Sequence, residues 1–197
     1  MGKLRVTKTL LDSWLWSFKL DTGYDDFIKC LNRIKTPPTM AQLEGLRFEN
    51  CLNNVLLGEQ LPDDHEWKFP ITEMAEQLYG SQQQVVLFRD IKVEEQDVLL
   101  HGILDYLHAG EIYDCKFTKR YTLNKYLTST TQCSMYMTML PEAYCFTYLI
   151  SDGKYVYRER YPREIVPDID NTINQFYRFL KQHDLWKTYV EKWSVSN

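Results

Sequence analysis

Residues 101–117 read HGILDYLHAGEIYDCKF. Two segments rich in apolar residues flank a short turn at residues 109–110, a pattern typical of a β-hairpin. If these two residues form the whole loop, His108 pairs with Glu111 across the hairpin. The turn therefore predicts the register of the two strands that precede and follow it.

This hairpin brings two carboxylates and an ammonium group together. In the predicted register Asp105 faces Asp114, with β-carbons about 5 Å apart. Side chains alternate along a strand, so Lys116 points to the same face as Asp114. Two carboxylates at this distance repel each other, and a divalent cation with oxygen ligands relieves the repulsion. Lys116 can hold the attacking water or stabilise the charge that develops on phosphate. The pattern predicts the centre of a magnesium-dependent phosphodiesterase.

An acidic residue also stands two positions before a lysine at residues 66–68, 90–92 and 152–154. We interpret these three sites as solvated surface charges, and the last as part of a turn. Asp114 differs because Asp105 precedes it in a segment apolar enough to be buried. A charge inside an apolar strand is unfavourable unless it is paired or bound to a metal.

Length and composition indicate one folded domain covering residues 1–197. An apolar fraction of 44% and an aromatic fraction of 14% exclude a disordered chain. The net charge of −4 lacks the basic excess typical of nucleic-acid binders. A metal-binding carboxylate cluster and a local basic groove are nevertheless compatible with an acidic chain.

Five scattered cysteines form no metal-binding pattern. Their number is odd and no C-x-x-C pair occurs, so we expect reduced thiols and neither a zinc nor an iron–sulfur site. The amino terminus lacks the apolar core of a secretory signal, and no apolar stretch is long enough to span a bilayer. We therefore expect a cytoplasmic protein without a membrane partner.

Periodicity predicts an α/β chain with a central sheet. Thr39 and Gln42 form a capping box at the start of one helix, and Gly58 is expected to end it. Helical spacing covers residues 4–34 (with a second short helix at 25–34), 40–57, 72–79, 122–140, 168–182 and 184–193, and strand patterns cover 84–88, 97–107, 111–117, 143–150 and 155–161.

Two of these helices can contribute to the site. On helix 40–57, Gly45 and Glu49 share a face, and a glycine inside a helix often marks close packing. Glu49 is therefore a candidate third metal ligand, whereas Glu44 is interpreted as a solvated charge. On helix 122–140 a polar stripe, which includes Gln132 and Tyr136, either is a solvated face or contacts a phosphate or base.

Together these motifs resemble the PD-(D/E)XK nuclease superfamily, and most closely its RecB-type branch, which includes phage exonucleases. That branch reads Gly-x-x-x-His, Gly-x-x-Asp, Asp-x-Lys and Gln-x-x-x-Tyr in order. Residues 7–11 are also similar to its Ser-x-Ser-x-Leu segment. The corresponding motifs here are Gly45–Glu49, Gly102–Asp105, Asp114–Lys116 and Gln132–Tyr136.

The resemblance implies a role for each residue of the hairpin motif. Asp105 and Asp114 would bind Mg²⁺ or Mn²⁺, with the main-chain carbonyl of Cys115 as a further ligand. Lys116 would orient or activate the water.

Outside the hairpin, the chain matches the family pattern in one motif and departs from it in two respects. Gln132 and Tyr136 match it, and the resemblance implies that they shape the substrate side of the site. Glu49 replaces the usual histidine, and related nucleases do use an acid on this helix. Since Cys145 is the last cysteine, the carboxy-terminal cluster of the iron–sulfur members is missing, and we expect no iron–sulfur cluster.

The resemblance implies a restriction-endonuclease-like core, with a central mixed β-sheet flanked by helices. Its activity would be that of a metal-dependent DNA exonuclease in which water attacks phosphorus directly. The compact size suits phage-type recombination or repair beside a single-strand annealing protein, in a homo-oligomer. The alternatives are an endonuclease of the same fold and a catalytically inactive adaptor that binds DNA or protein.

Overall fold

The computed structural model describes residues 2–19 and 21–195. Residue 20 of the predicted helical segment, and the terminal residues of the predicted domain, lie outside the described residues. The strands are β1 (Lys3–Thr7), β2 (Gln82–Val93), β3 (Gln96–His108), β4 (Glu111–Phe117), β5 (Cys145–Ser151), β6 (Val156–Pro162) and β7 (Ser194–Val195). The helices are α1 (Lys8–Trp16), α2 (Gly23–Leu31), α3 (Met40–Leu56), α4 (Lys68–Leu78), α5 (Lys125–Ser129), α6 (Gln132–Met139), α7 (Asp170–Gln182) and α8 (Trp186–Trp193).

The strands form one mixed sheet in the order β6-β5-β4-β3-β1-β7, and β2 also pairs with β3. β1 runs parallel to β3 and β4 runs parallel to β5, whereas the other pairs are antiparallel. The predicted central mixed sheet is therefore confirmed. Because β1 pairs with β7, segments from both ends of the described chain belong to this sheet.

Helices cover both faces of the sheet, as predicted. α1, α2, α6, α7 and α8 bury their apolar side chains in a larger core that contains Phe176 and Ile112. α3 and α4 pack around Phe48 in a smaller core that contains Tyr113. Ile112 and Tyr113 are neighbours on β4, so the two cores lie on opposite faces. No helix in the described part of the chain is long and apolar enough to cross a membrane.

Local sequence signals fix α3 and the β3–β4 turn. Thr39 N donates to Gln42 Oε1 at 2.7 Å and Gln42 N donates to Thr39 Oγ1 at 3.3 Å, which confirms the capping box. His108 pairs with Glu111, as predicted. The loop residues at 109–110 have φ values of +47° and +79°, as a type I′ turn requires.

The predicted helix at residues 122–140 is wrong, because α5 and α6 are separated by an extended Thr130. A buried carboxylate from α1 is the physical reason. Asp12 Oδ1 accepts hydrogen bonds from Thr131 N at 2.6 Å and from Thr131 Oγ1 at 2.9 Å, and so holds the N-cap residue of α6 in place. Leu123, near the start of the predicted helix, is exposed. A contact that comes from a distant part of the chain leaves no local signal.

The amino-terminal segment also differs from prediction, because residues 3–7 form a strand rather than helix. This strand lies parallel to residues 98–101 of β3. Helical structure begins only at Lys8, where Leu10 N donates to Thr7 Oγ1 at 3.3 Å. The strand–helix junction is therefore set by a capping threonine and by sheet pairing.

Replacing Asp12 with alanine removes the acceptor that holds the N-cap residue of α6. Asp12 is buried and satisfies two donors of Thr131, so we expect the free energy of unfolding to fall by about 1–3 kcal/mol. Urea denaturation followed by circular dichroism measures this change.

The matched control for this variant is Asp26→Ala. Asp26 forms an exposed pair with Lys29 at 3.0 Å, and such a pair contributes roughly 0.3–0.5 kcal/mol. Equal unfolding midpoints for the two variants would contradict this role of Asp12.

Candidate functional site

Strand β3 has different partners along its two edges. β2 pairs along one edge from Gln96 to Leu107. β1 and β4 share the other edge, over residues 98–101 and 106–108 respectively. Within the described chain, residues 102–105 therefore have no strand beside them on that edge. We call this place, where β1 and β4 diverge from β3, the strand fork.

The regular pleat of β3 is interrupted at Asp105. Gln84 of β2 would face Asp105 in the register, but it has φ +50° and the two residues form no ladder pair. Leu104 packs in the larger core and Tyr106 in the smaller one, although residues two apart normally face the same side. Local distortions of this kind redirect side chains and are common beside active sites.

Two carboxyl groups meet at the strand fork, as the hairpin register predicts. Residues 106–108 pair with residues 111–113, and the next positions are Asp105 and Asp114. Burial and the neighbouring Asp114, which is within hydrogen-bonding reach, raise the pKa of Asp105 to about 8. Asp114 itself is only 1% exposed. Asp105 is therefore mostly protonated at neutral pH.

Lys116 forms an ion pair with Asp114. Its Nζ lies 2.5 Å from Asp114 Oδ2, although the contact lacks the direction of a regular hydrogen bond. Burial acts to lower the pKa of Lys116, but Asp114 and Asp105 outweigh it and the pKa is raised. Without a bound cation, this ion pair therefore favours the protonated form of the lysine. It can donate hydrogen bonds to water or stabilise negative charge.

Helix α6 brings Gln132 and Tyr136 to the strand fork. Gln132 is buried and its Nε2 donates to Asp114 Oδ1. Tyr136 packs against Gly102, where a β-carbon would lie 2.5 Å from the tyrosine Cε1. Gly102 therefore permits the close approach of α6 to β3. These contacts position Asp114. That Gln132 and Tyr136 also contact a substrate stays a prediction.

Helix α3 presents Glu49 to the site. The preceding Phe48 packs on Phe117 of β4, with ring centroids 4.9 Å apart. The pKa of Glu49 is raised, mainly by burial. Lys116 acts to lower this pKa and Asp114 acts to raise it, so the carboxylate lies within electrostatic reach of both. Gly45 has open space where a β-carbon would lie, so the predicted close packing at this glycine is wrong.

A cleft of about 700 Å³ opens at the site. Its lining includes Glu49 and Lys116, together with Lys8 of α1 and Tyr126 of α5. The sequence did not identify Lys8 and Tyr126 as site residues. Their positions depend on the pairing of β1 with β3 and on the break between α5 and α6. The only sequence signal near either was the similarity of residues 7–11 to the Ser-x-Ser-x-Leu segment.

The described residues contain no ready group of three or more His, Cys, Asp or Glu side chains for a metal ion. The donor chemistry nevertheless suits a hard divalent cation, because Asp105 and Asp114 share a desolvated position that favours a bound positive charge. Gln132 Oε1 is buried and has no hydrogen-bond partner among the described residues. The residues therefore fit Mg²⁺ or Mn²⁺, with Glu49 nearby.

The thiol of Cys115 belongs to the opposite side of the sheet. It packs against the smaller core, and burial raises its pKa well above the usual range. Cys115 can therefore offer only its main-chain carbonyl to the site and is a poor nucleophile.

The three other acid-x-lysine positions make only local or surface contacts. Asp90 pairs with Lys3 at 2.6 Å, and Glu66 pairs with Arg47. Asp152 accepts hydrogen bonds from two amides of the β5–β6 turn, each at 2.9 Å. Only the position on β4 joins a second carboxyl group from a neighbouring strand.

The raised pKa of Asp105 should make stability depend on pH. An unfolded aspartate titrates near pH 4, whereas the pKa of folded Asp105 is about 8. The folded state therefore binds more protons between these values, and stability falls as the pH rises through this window. As the pH rises through this window, Asp105→Asn should become more stable relative to the unsubstituted chain. Urea unfolding with a chelator present measures this difference in stability.

The control for this pH series is Asp26→Asn on the surface of α2. Its stability relative to the unsubstituted chain should show no comparable rise. A stability difference for Asp105→Asn that is constant with pH would contradict the raised pKa.

The fold is similar to that of a solved structure. No protein-family model and no curated protein matches the chain. A structure described as "Crystal structure of SSO0001" has a TM-score of 0.57 and 12% sequence identity, over 93% of this chain and 78% of that one. At this identity the similarity shows the α/β fold alone.

Proposed function

We propose that the chain is a metal-dependent deoxyribonuclease with the restriction-endonuclease-like core of the PD-(D/E)XK superfamily. The observation that carries this proposal is the meeting of Asp105, Asp114 and Lys116 at the strand fork beside an open cleft. The three residues belong to two of the four motifs on which the resemblance rests. Their burial in contact with one another supports a chemical role more than a surface role.

In the proposed reaction Asp105 and Asp114 would hold Mg²⁺ or Mn²⁺, with Glu49 and the Cys115 carbonyl as further donors. When bound, the ion would supply activation of the water and neutralisation of charge on the phosphate. Gln132 holds Asp114 in place. Lys116 would orient or activate the water, or stabilise the developing negative charge. Water attacks phosphorus, the P–O bond to one of the two sugars breaks, and the departing oxygen takes up a proton. Cys115 is not the nucleophile, since its side chain faces the smaller core.

Action at DNA ends is the part of the proposal that rests on the resemblance to RecB-type and phage exonucleases. The same resemblance supports a role in recombination or repair, a single-strand annealing protein as partner, and a homo-oligomer. An endonuclease of this fold would use the same residues, so the form of the DNA substrate must distinguish the two.

A second candidate function is an inactive adaptor that binds DNA or protein. It is favoured by the ion pair of Lys116 with Asp114 and by the lack of a ready three-ligand group in the described chain. An adaptor can keep such a pair for stability. It has no chemical need for Asp105 beside the pair, which makes it the weaker candidate.

Substitution of the site residues tests the nuclease directly. On linear double-stranded DNA with Mg²⁺ or Mn²⁺, Asp114→Asn and Lys116→Ala should each lower the rate by roughly a hundredfold or more. Release of a fluorescent end label measures the rate, and circular dichroism checks the fold.

The matched control is the Asp90→Asn/Lys92→Ala double variant, which changes the same spacing on the surface and should keep the rate. Retention of the full rate by Asp114→Asn would show that the assignment is wrong.

Covalently closed DNA separates the two modes of cleavage. A strict exonuclease needs an end, so it should degrade the linear form and leave the closed circle intact in a gel assay. Cutting of the circle would identify an endonuclease. An adaptor should cut neither form, and calorimetry should then detect no Mg²⁺ or Mn²⁺ site that Asp105→Ala or Asp114→Ala abolishes.

A further inference from the structure

Three surface clefts join into one groove that passes the candidate site. The central cleft of about 700 Å³ shares Thr36 and Gln42 with a cleft of about 890 Å³ beside α2. It shares Ala41, Phe117 and Tyr126 with a cleft of about 680 Å³ beside α5. Because neighbouring clefts are bounded by the same side chains, they adjoin one another on both sides of the site. We call the three clefts together the basic groove.

The basic groove differs in charge from the chain as a whole. Eight lysine and arginine residues line it against three acidic residues, whereas the net charge of the chain is −4. The remaining residues must therefore carry a net negative charge. This distribution attracts a polyanion to the groove and repels it elsewhere.

The end of the groove beside α2 contains Lys29, Arg33 and Lys35. The Arg33 guanidinium lies over the ring of Trp193, with its carbon 4.6 Å from the ring centroid. Stacking on a tryptophan restricts an arginine without neutralising it. Arg33 is therefore held where its charge can meet a phosphate.

The end beside α5 contains Arg47, Lys119 and Lys125, all of which are exposed. Arg47 lies over Trp67, with its guanidinium carbon 4.5 Å from the ring centroid. Lys125 Nζ lies 5.6 Å from the ring centroid of Tyr126, at the border with the central cleft. Arg47 pairs with Glu66, and Lys119 pairs with Glu44 at 3.0 Å, so a phosphate bound at this aromatic-lined end would compete with these two carboxylates.

Exposed apolar side chains also line each section of the groove. Ile34 lies beside α2, Leu46 beside the site, and Met40 and Leu43 beside α5, and all four are between 43% and 81% exposed. A single strand exposes its bases to such side chains, and the faces of those bases can also stack on Phe117 and Tyr126 of the same lining. The paired bases of a duplex are not exposed in this way. The lining therefore favours a single strand.

We propose that the basic groove binds a single strand of DNA that continues on both sides of the scissile phosphate. Arg33 and Lys35 contact phosphates on one side, and Lys119 and Lys125 contact them on the other. Cleavage of the bound strand rests on the proposed nuclease function, whereas binding of the strand does not. A strand held on both sides is cut into short oligonucleotides rather than single nucleotides.

Binding without hydrolysis tests the groove. Fluorescence anisotropy with a single strand of about 20 nucleotides, in chelator, should give a Kd that rises roughly tenfold in Arg33→Ala/Lys35→Ala and in Lys119→Ala/Lys125→Ala. Each pair should lower the slope of log K against log salt by about 1.4, since each phosphate contact on a single strand contributes about 0.7. The control Lys154→Ala/Lys187→Ala removes two charges outside the groove and should leave the Kd unchanged.

Several outcomes would overturn the inference. Groove variants that bind like the control, or a blunt hairpin with equal phosphate count that binds as tightly as the single strand, would exclude a single-strand groove. Tighter binding of RNA of the same sequence would exclude DNA as the preferred ligand. Single nucleotides as the sole product of an active enzyme would exclude binding on both sides.

Failure of the nuclease function is distinguishable from failure of the groove. If the groove variants lose binding and the unsubstituted chain shows no metal-dependent cleavage, the groove stands and the nuclease is wrong. If the chain cleaves DNA but the groove variants bind normally, the nuclease stands and the groove is wrong.

Discussion

The buried carboxylate of Asp114 is the constraint on which the site depends. A charge that is 1% exposed within a sheet is strongly unfavourable unless partners compensate it. Lys116 supplies an opposite charge from the same strand, and Gln132 supplies a donor from α6. The first partner follows from strand geometry, but the second requires α6 to lie at one position. The surrounding fold therefore has to fix that helix.

Two separate contacts fix α6. The helix has eight residues, too few to be stable by itself in water. Asp12 of α1 holds its N-cap residue, and Gly102 lets Tyr136 approach β3 further along the helix. A shift at either contact would move Gln132 away from Asp114. The glycine of the second motif and the tyrosine of the fourth thus meet in one packing contact.

Features with local causes could be predicted from the sequence. The two-residue turn set the His108–Glu111 register, and Asp105 and Asp114, which directly adjoin the paired residues, still approach each other where the strands diverge. The capping box set the start of α3. The strand fork could not be predicted, because it depends on which strands share the edge of β3. The role of Gly45 was wrongly predicted, because spacing on a helix does not reveal what the opposite surface contributes.

Burial, rather than spacing, separates Asp114 from its three counterparts. At residues 90–92 both charged side chains are exposed and pair with other residues. Asp90 pairs with Lys3, and Lys92 pairs with Glu95. Water screens such charges, so being two residues apart confers no preference. At β4 the same spacing lies where water is largely excluded, and the interaction becomes stronger as the local dielectric falls. The strand fork then adds Asp105, and because one lysine cannot keep both carboxyl groups ionised, the pKa of Asp105 is raised. A cation bound between the two carboxyl groups would favour ionisation of Asp105, beside the cleft that Lys116 and Glu49 line.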